Sequence, residues 1–366
     1  MAKCNVNTNE RFADIQMLRY ELKGFEDLSL NQKLYIFCLA KATLMGRDIT
    51  FDQQGKYNLR IRKTLETVYL HYEGDRECEE FKAFEVYLKR IWFASGIHHH
   101  YGCEKFKPGF SEEYFYHLLE NIGEELLPIK RGETKEDLMR QLESILFDPV
   151  VMPKRVNQTD GEDLVQTSAC NFYEDVTQEE VERFYAKMKN TDNPNPPSYG
   201  LNSKLTKRNN EVVEMTWKED GLYGETIREI VSWLLKAQKY AENEGQKHVI
   251  DLLVKFYRTG SLEDFDRYSI AWVEQHEGLV DFINGFIEVY GDPLGMKGTW
   301  EGIVEYKDLE ATKRTQTISQ NAQWFEDHSP VDPRFRKPEV KGVTANVICA
   351  AMLGGEEYPA SAIGIN

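Results

Sequence analysis

Apolar side chains return every third or fourth residue through much of this chain, and that period limits what it can fold into more than any other feature. Between Glu77 and Ala94 it places Phe81, Phe84, Leu88 and Ile91 on one face of a helix. Thr177-Gln-Glu-Glu180 has the form of a capping box, in which hydroxyl and carboxylate satisfy each other's backbone donors. It opens a helix with Val181, Phe184, Tyr185 and Met188 inward. From Glu225 to Glu242 the stripe is Ile227, Ile230, Val231, Leu234 and Ala237. Lys247 to Thr259 reads as another helix, with Gly260 as its stop. Ser261 caps the next, running towards Gln275 with Glu263 and Asp264 in its first turn, where the helix dipole favours acids. A further helix is expected from about Leu279 to Glu288, ahead of the turn-rich Tyr290-Gly-Asp-Pro-Leu-Gly295.

Strand signals are fewer. Glu211 to Lys218 alternates, with Val213, Met215 and Trp217 on one side, and Asn210 suits a turn before it. Short extended pieces are expected near Phe51 and Ile129. With no alternating βαβ rhythm and no internal repeat, the class is α+β and helix-rich. The polar, proline-rich Asn190–Ser198 reads as a surface loop, and Ser329–Pro338 as a second irregular stretch.

Charge narrows the function. Sixty-one acidic side chains against 45 basic ones give a net charge of −16. No basic face is evident, which argues against nucleic acid as a partner. An acidic surface keeps a protein soluble and favours cationic ligands, including the free amino end of a peptide. The six cysteines, at 4, 38, 78, 103, 170 and 349, are scattered without a CxxC pair and read as reduced thiols. No apolar run is long enough to cross a membrane, and the first residues have no signal core. The expected location is cytoplasmic, or elsewhere if a leader has been removed.

The histidines offer no complete metal motif. His98, His99 and His100 are adjacent, and neighbours cannot all face one ion from a regular element. Glycines at 96 and 102 bracket them, so a loop is expected, with rings that line a cleft or bond the backbone. His276-Glu277 begins like a HExxH helix, but residue 280 is Val. His71, His117, His248 and His328 are isolated. Nucleophile-elbow and phosphate-loop patterns are absent, and Gly295-Met-Lys-Gly298 is too short for a phosphate cradle.

One segment is more specific. Phe286-Ile-Glu-Val-Tyr-Gly-Asp-Pro-Leu-Gly-Met-Lys-Gly-Thr-Trp-Glu-Gly302 resembles the "IESYRDPxGxRGxxEG" stretch of the dipeptidyl peptidase III family. Glu288, Tyr290, Asp292, Pro293, Gly295, Gly298, Glu301 and Gly302 fall on that pattern. Ala362-Ile-Gly-Ile-Asn366 is similar to the family's "AGIN". Weaker likeness runs through Tyr199–Leu205 and Gly96–Phe106, closest to bacterial members.

The resemblance implies a zinc exopeptidase that releases dipeptides from the N-terminus of short peptides. Zinc is expected in the complete protein but not in this chain, which would end before the family's HExxGH helix and be inactive alone. Glu288 and Asn366 would hold the substrate's α-amino group. Tyr290 would stabilise the oxyanion. Glu301 would shape the amine subsite or support Lys297, and Tyr101 would line the next subsite. Asp292 and Pro293 would set the turn. The implied architecture is two-lobed: residues 1–309 form a mixed lobe with a small β-barrel and one cleft wall. Residues 310–349 visit the helical zinc lobe, and 350–366 return to the mixed lobe. Leu309, Ile318, Trp324 and Phe325 would then be exposed, and segment 310–349 could drive self-association. The alternatives are a non-catalytic peptide-binding module and a helical scaffold.

Overall fold

The computed structural model describes residues 10–17, 21–189, 193–340 and 346–355. The helical period is largely realised. After a short hairpin, β1 (Arg11–Phe12) with β2 (Ile15–Gln16), come α1 (Leu30–Met45), α2 (Arg47–Gln54), α3 (Asn58–His71), α4 (Glu79–Ala94), α5 (Glu112–Glu120) and α6 (Lys135–Phe147). Next are α7 (Leu164–Thr167), α8 (Gln178–Ala186), α9 (Gly224–Gln238), α10 (Glu244–Thr259) and α11 (Leu262–Glu274). The capping box before α8 forms as expected, and Gly260 ends α10 in the left-handed conformation with φ 68°. Ser261 precedes α11 but makes no side-chain cap hydrogen bond.

Two apolar cores divide the chain. One gathers Phe51, Ile61, Phe84, Leu88, Phe115 and Leu142 from α2 to α6. The other joins α1 and α9–α11 to strands, through Tyr35, Leu39, Ile230, Leu253, Phe286 and Trp300. Helix α1 is buried around more than one face because the C-terminal sheet packs on one side and α9 on another. An all-round pattern of this kind has no clear stripe to read.

The strands form small open sheets. β3 (Tyr173–Glu174), β4 (Ser203–Arg208) and β5 (Glu211–Thr216) make one; β6 (Val280–Glu288), β7 (Thr299–Lys307) and β8 (Ile348–Gly354) make the other, in that order and antiparallel. No closed barrel forms among the described residues. Three strands leave two edges, whereas even a small barrel closes with about five.

Two local expectations are corrected. Leu279–Glu288 contains no helix; it is strand β6, with Val280, Phe282, Asn284 and Phe286 buried at alternate positions. That period of two, and a glycine at 285, suit a strand whose partner is β7. Phe51 lies in helix α2, not in an extended piece. Beyond β7, α12 (Leu309–Gln320) and α13 (Ala322–Asp327) leave Leu309, Ile318, Trp324 and Phe325 exposed.

Candidate functional site

The family-like segment is the β6–β7 hairpin, and its register decides which way its side chains face. Phe286 pairs with Trp300, and Glu288 pairs with Thr299. Two residues on β6 therefore oppose one step on β7, which is a β-bulge at Ile287. Phe286 and Trp300 are both fully buried in the core with ring contacts to Trp217 and Tyr257 around them. Strict alternation would turn Glu288 to that same core. The bulge instead sets it opposite Thr299, on the other face. Glu301, two residues beyond Thr299 on β7, shares that face. Two carboxylates thus stand together next to the turn that carries Tyr290. Glu288 is half-buried, Glu301 is fully buried and Tyr290 is 68% exposed.

The turn between the strands is held from several directions. Asp292 Oδ2 accepts the N–H groups of Met296 (2.8 Å) and Lys297 (2.9 Å) and the Tyr173 hydroxyl (2.9 Å). Its Oδ1 accepts the Leu294 N–H at 3.2 Å. Burial nevertheless pushes the Asp292 acid up from the ordinary carboxylate range, against these hydrogen bonds. From α2, Gln53 donates to the Gly298 carbonyl (3.1 Å) and accepts the Trp300 N–H (2.8 Å), so one amide ties down the start of β7. Gly298 N–H reaches the Leu201 carbonyl at 2.7 Å. A Cβ on Gly46 would lie 2.2 Å from the Trp300 ring, so only glycine lets α1 and α2 meet over that indole.

Tyr101 lies elsewhere, in the turn that follows the histidines. It is exposed, its N–H reaches His99 Nδ1 at 3.2 Å, and its ring centroid is 4.7 Å from that of His100. His98 is buried and bonds the Met152 carbonyl at 2.8 Å; burial pushes its imidazolium down to about 4, leaving the ring neutral. Asn366 lies outside the described residues. Among the described residues no group of three or more His, Cys, Asp or Glu side chains could hold a metal ion.

Sequence reading missed a second layer behind the turn. Lys297 is completely buried, and its ammonium meets the hydroxyls of Tyr185 and Ser203. Burial pushes it down to about 8. A cavity of about 360 Å³ lined by Tyr185, Pro196, Pro197, Tyr199 and Met296 opens beside it. These residues are far apart in sequence, and no spacing rule joins them.

Residues 170–344 match the sequence pattern of peptidase family M49, a span that contains the hairpin and the buried lysine. Dipeptidyl peptidase 3 from Rattus norvegicus is 25% identical over 94% of this chain and 50% of its own length. The Homo sapiens protein of the same name is 23% identical with the same coverage. The chain is similar to the dipeptidyl peptidase III family. It spans about half the length of these relatives. The fold agrees: a structure of DPP III from Caldithrix abyssi superposes with a TM-score of 0.62 over 92% of this chain and 50% of that one, at 16% identity.

Proposed function

We propose that this chain forms the peptide-holding wall of a dipeptidyl peptidase. The dipeptidyl peptidase relatives support peptide substrates and hydrolase chemistry, and the hairpin register supports the roles given to Glu288, Glu301 and Tyr290. Glu288 takes the protonated α-amino group of a short peptide, with Asn366 as its partner and Glu301 shaping the same subsite. A cationic amine is bound most strongly by a carboxylate that also accepts its hydrogen bonds. Anchoring the amine counts residues from the N-terminus and sets which peptide bond lies beside Tyr290. The Tyr290 phenol donates to the carbonyl oxygen of that bond as charge develops on it. Tyr101 lines the neighbouring subsite.

Zinc belongs to this chemistry in the family, but the described residues supply no donor set for it, and no step here runs through it. The observation that carries the proposal is the bulge at Ile287, which brings Glu288 to the face of Glu301 beside an exposed tyrosine.

The test is calorimetric titration with a tetrapeptide and with its N-acetylated form. The free peptide should bind at least about tenfold more tightly, a difference of roughly 1.4 kcal/mol, and Glu288→Gln should erase the preference. Equal affinity for the two peptides would rule out amine recognition here.

A further inference from the structure

We infer that Lys297 is a positioning residue for Tyr290, acting through a hydroxyl-bridged clamp that fixes the β6–β7 turn to a second sheet. The inference rests on the reading of Tyr290 given above. Its geometry runs in an unbroken series. The Lys297 Nζ donates to the hydroxyls of Tyr185 and, at 3.0 Å, Ser203. Both hydroxyls then donate to one oxygen, Glu214 Oε1, at 2.7 and 2.6 Å. The lysine cation is thereby joined to a carboxylate on β5 by two parallel bridges, one from α8 and one from β4. Gly200, at φ +89°, makes room: a Cβ there would stand 3.1 Å from Nζ and 2.9 Å from the Tyr185 ring.

At its other end, Lys297 donates its backbone N–H to Asp292, and the Asp292 N–H closes on the Val289 carbonyl at 3.1 Å. Tyr290 sits inside that last loop, between Val289 and Asp292. Fixing the lysine side chain therefore fixes the backbone on the C-terminal side of Tyr290, just as the β6 ladder fixes it on the N-terminal side.

Stability alone does not account for this arrangement. Burying an ammonium is costly even when it is paired, and an apolar side chain of the same length fills such a space at less cost. What an apolar residue lacks is direction. Two hydroxyl acceptors and a shared carboxylate allow one orientation of the lysine, and an exposed tyrosine that must meet a developing charge needs a backbone held that tightly.

The test uses Tyr185→Phe, which removes one bridge and keeps the ring, alongside Lys297→Met, with folding checked by circular dichroism. The protein is labelled with 3-fluorotyrosine, and the Tyr290 fluorine resonance is assigned by its loss in Tyr290→Phe. The clamp predicts a single sharp resonance in the parent protein that broadens or splits in both variants, with the other tyrosines away from the clamp unchanged. An unaltered Tyr290 resonance in folded Tyr185→Phe overturns the inference, even if Lys297→Met fails to fold. Tetrapeptide affinity is measured on the same samples by calorimetry and should hold within about twofold, since the clamp orders Tyr290 and not the amine subsite. If the parent protein shows no preference for the free tetrapeptide over its N-acetylated form, the peptide-holding reading fails, and the fluorine result still decides whether the clamp orders Tyr290.

Discussion

Replacing Asp292 by alanine should be among the most damaging single changes to the hairpin. Its carboxylate accepts four hydrogen bonds, from the N–H groups of Leu294, Met296 and Lys297 and from the Tyr173 hydroxyl. Leu294 and Met296 are only half-buried, so water can replace the lost acceptor there. Lys297 and Tyr173 are buried, and each would be left with an unpaired donor costing ~1–3 kcal/mol. Against this stands the relief of a buried charge whose acid is already pushed up by desolvation. The balance is a loss of about 3 kcal/mol. Asp292→Asn keeps one carbonyl oxygen, which can face the three donors now on Oδ2, and should cost only about 1 kcal/mol. Urea unfolding followed by tryptophan fluorescence measures both, since Trp217 and Trp300 are buried in the core that backs the turn. If alanine costs less than 1 kcal/mol, or if asparagine costs as much as alanine, the turn is not held by this carboxylate.

Three further outcomes follow from other parts of the fold. Glu305 lies directly across the ladder from Asp281, and burial, with that neighbour's help, pushes its acid up from 4.5 to about 7. A folded value above the unfolded one stabilises below about pH 4.5 and loses that contribution as pH rises through about 7. Glu305→Gln should therefore flatten the stability curve and gain about 1–2 kcal/mol at pH 8, after allowance for partial exposure; an unchanged pH profile in denaturant titrations would count against this. Gly46→Ala should destabilise by about 1–3 kcal/mol through collision with the Trp300 ring, and combining it with Trp300→Phe should cost less than the sum of the two changes. Tyr290→Phe should leave the affinity for a free tetrapeptide within about twofold, because the phenol acts on charge that develops only in the transition state; calorimetry would show it, and a loss of about tenfold would count against the assignment.

The helices were the legible part of this chain. The stripes at 81–91 and 227–237 each became one buried face, and that at 181–188 one buried at Val181 and Tyr185 and partly buried at Phe184 and Met188, because a surface helix must alternate between core and water every few residues. Strand β6 shows where that reading fails. Its apolar residues are dense enough to fit either period over a short window, and the arbitration comes from β7, whose residues lie beyond the turn. The turn itself was readable, since Asp292, Pro293 and Gly295 carry their chemistry locally. The bulge was not. It depends on which β7 residue faces Glu288, a property of the pair and not of either strand. Lys297 was named in the sequence only as a lysine between glycines that Glu301 would support; its partners at 185, 203 and 214 come together through α8, β4 and β5. The division into two apolar cores was missed for a similar reason, since α2 sends Ile49 to the core it shares with α1 and Phe51 to the other.

The measurement that bears most directly on the hairpin as a peptide-holding wall is a crystal structure of the protein with a bound tetrapeptide. The account predicts the peptide's α-amino group within hydrogen-bond distance of Glu288, on the face it shares with Glu301, and a backbone carbonyl of the peptide facing the Tyr290 hydroxyl. A peptide bound with its carboxyl end at Glu288, or seated away from the β6–β7 hairpin, would contradict it.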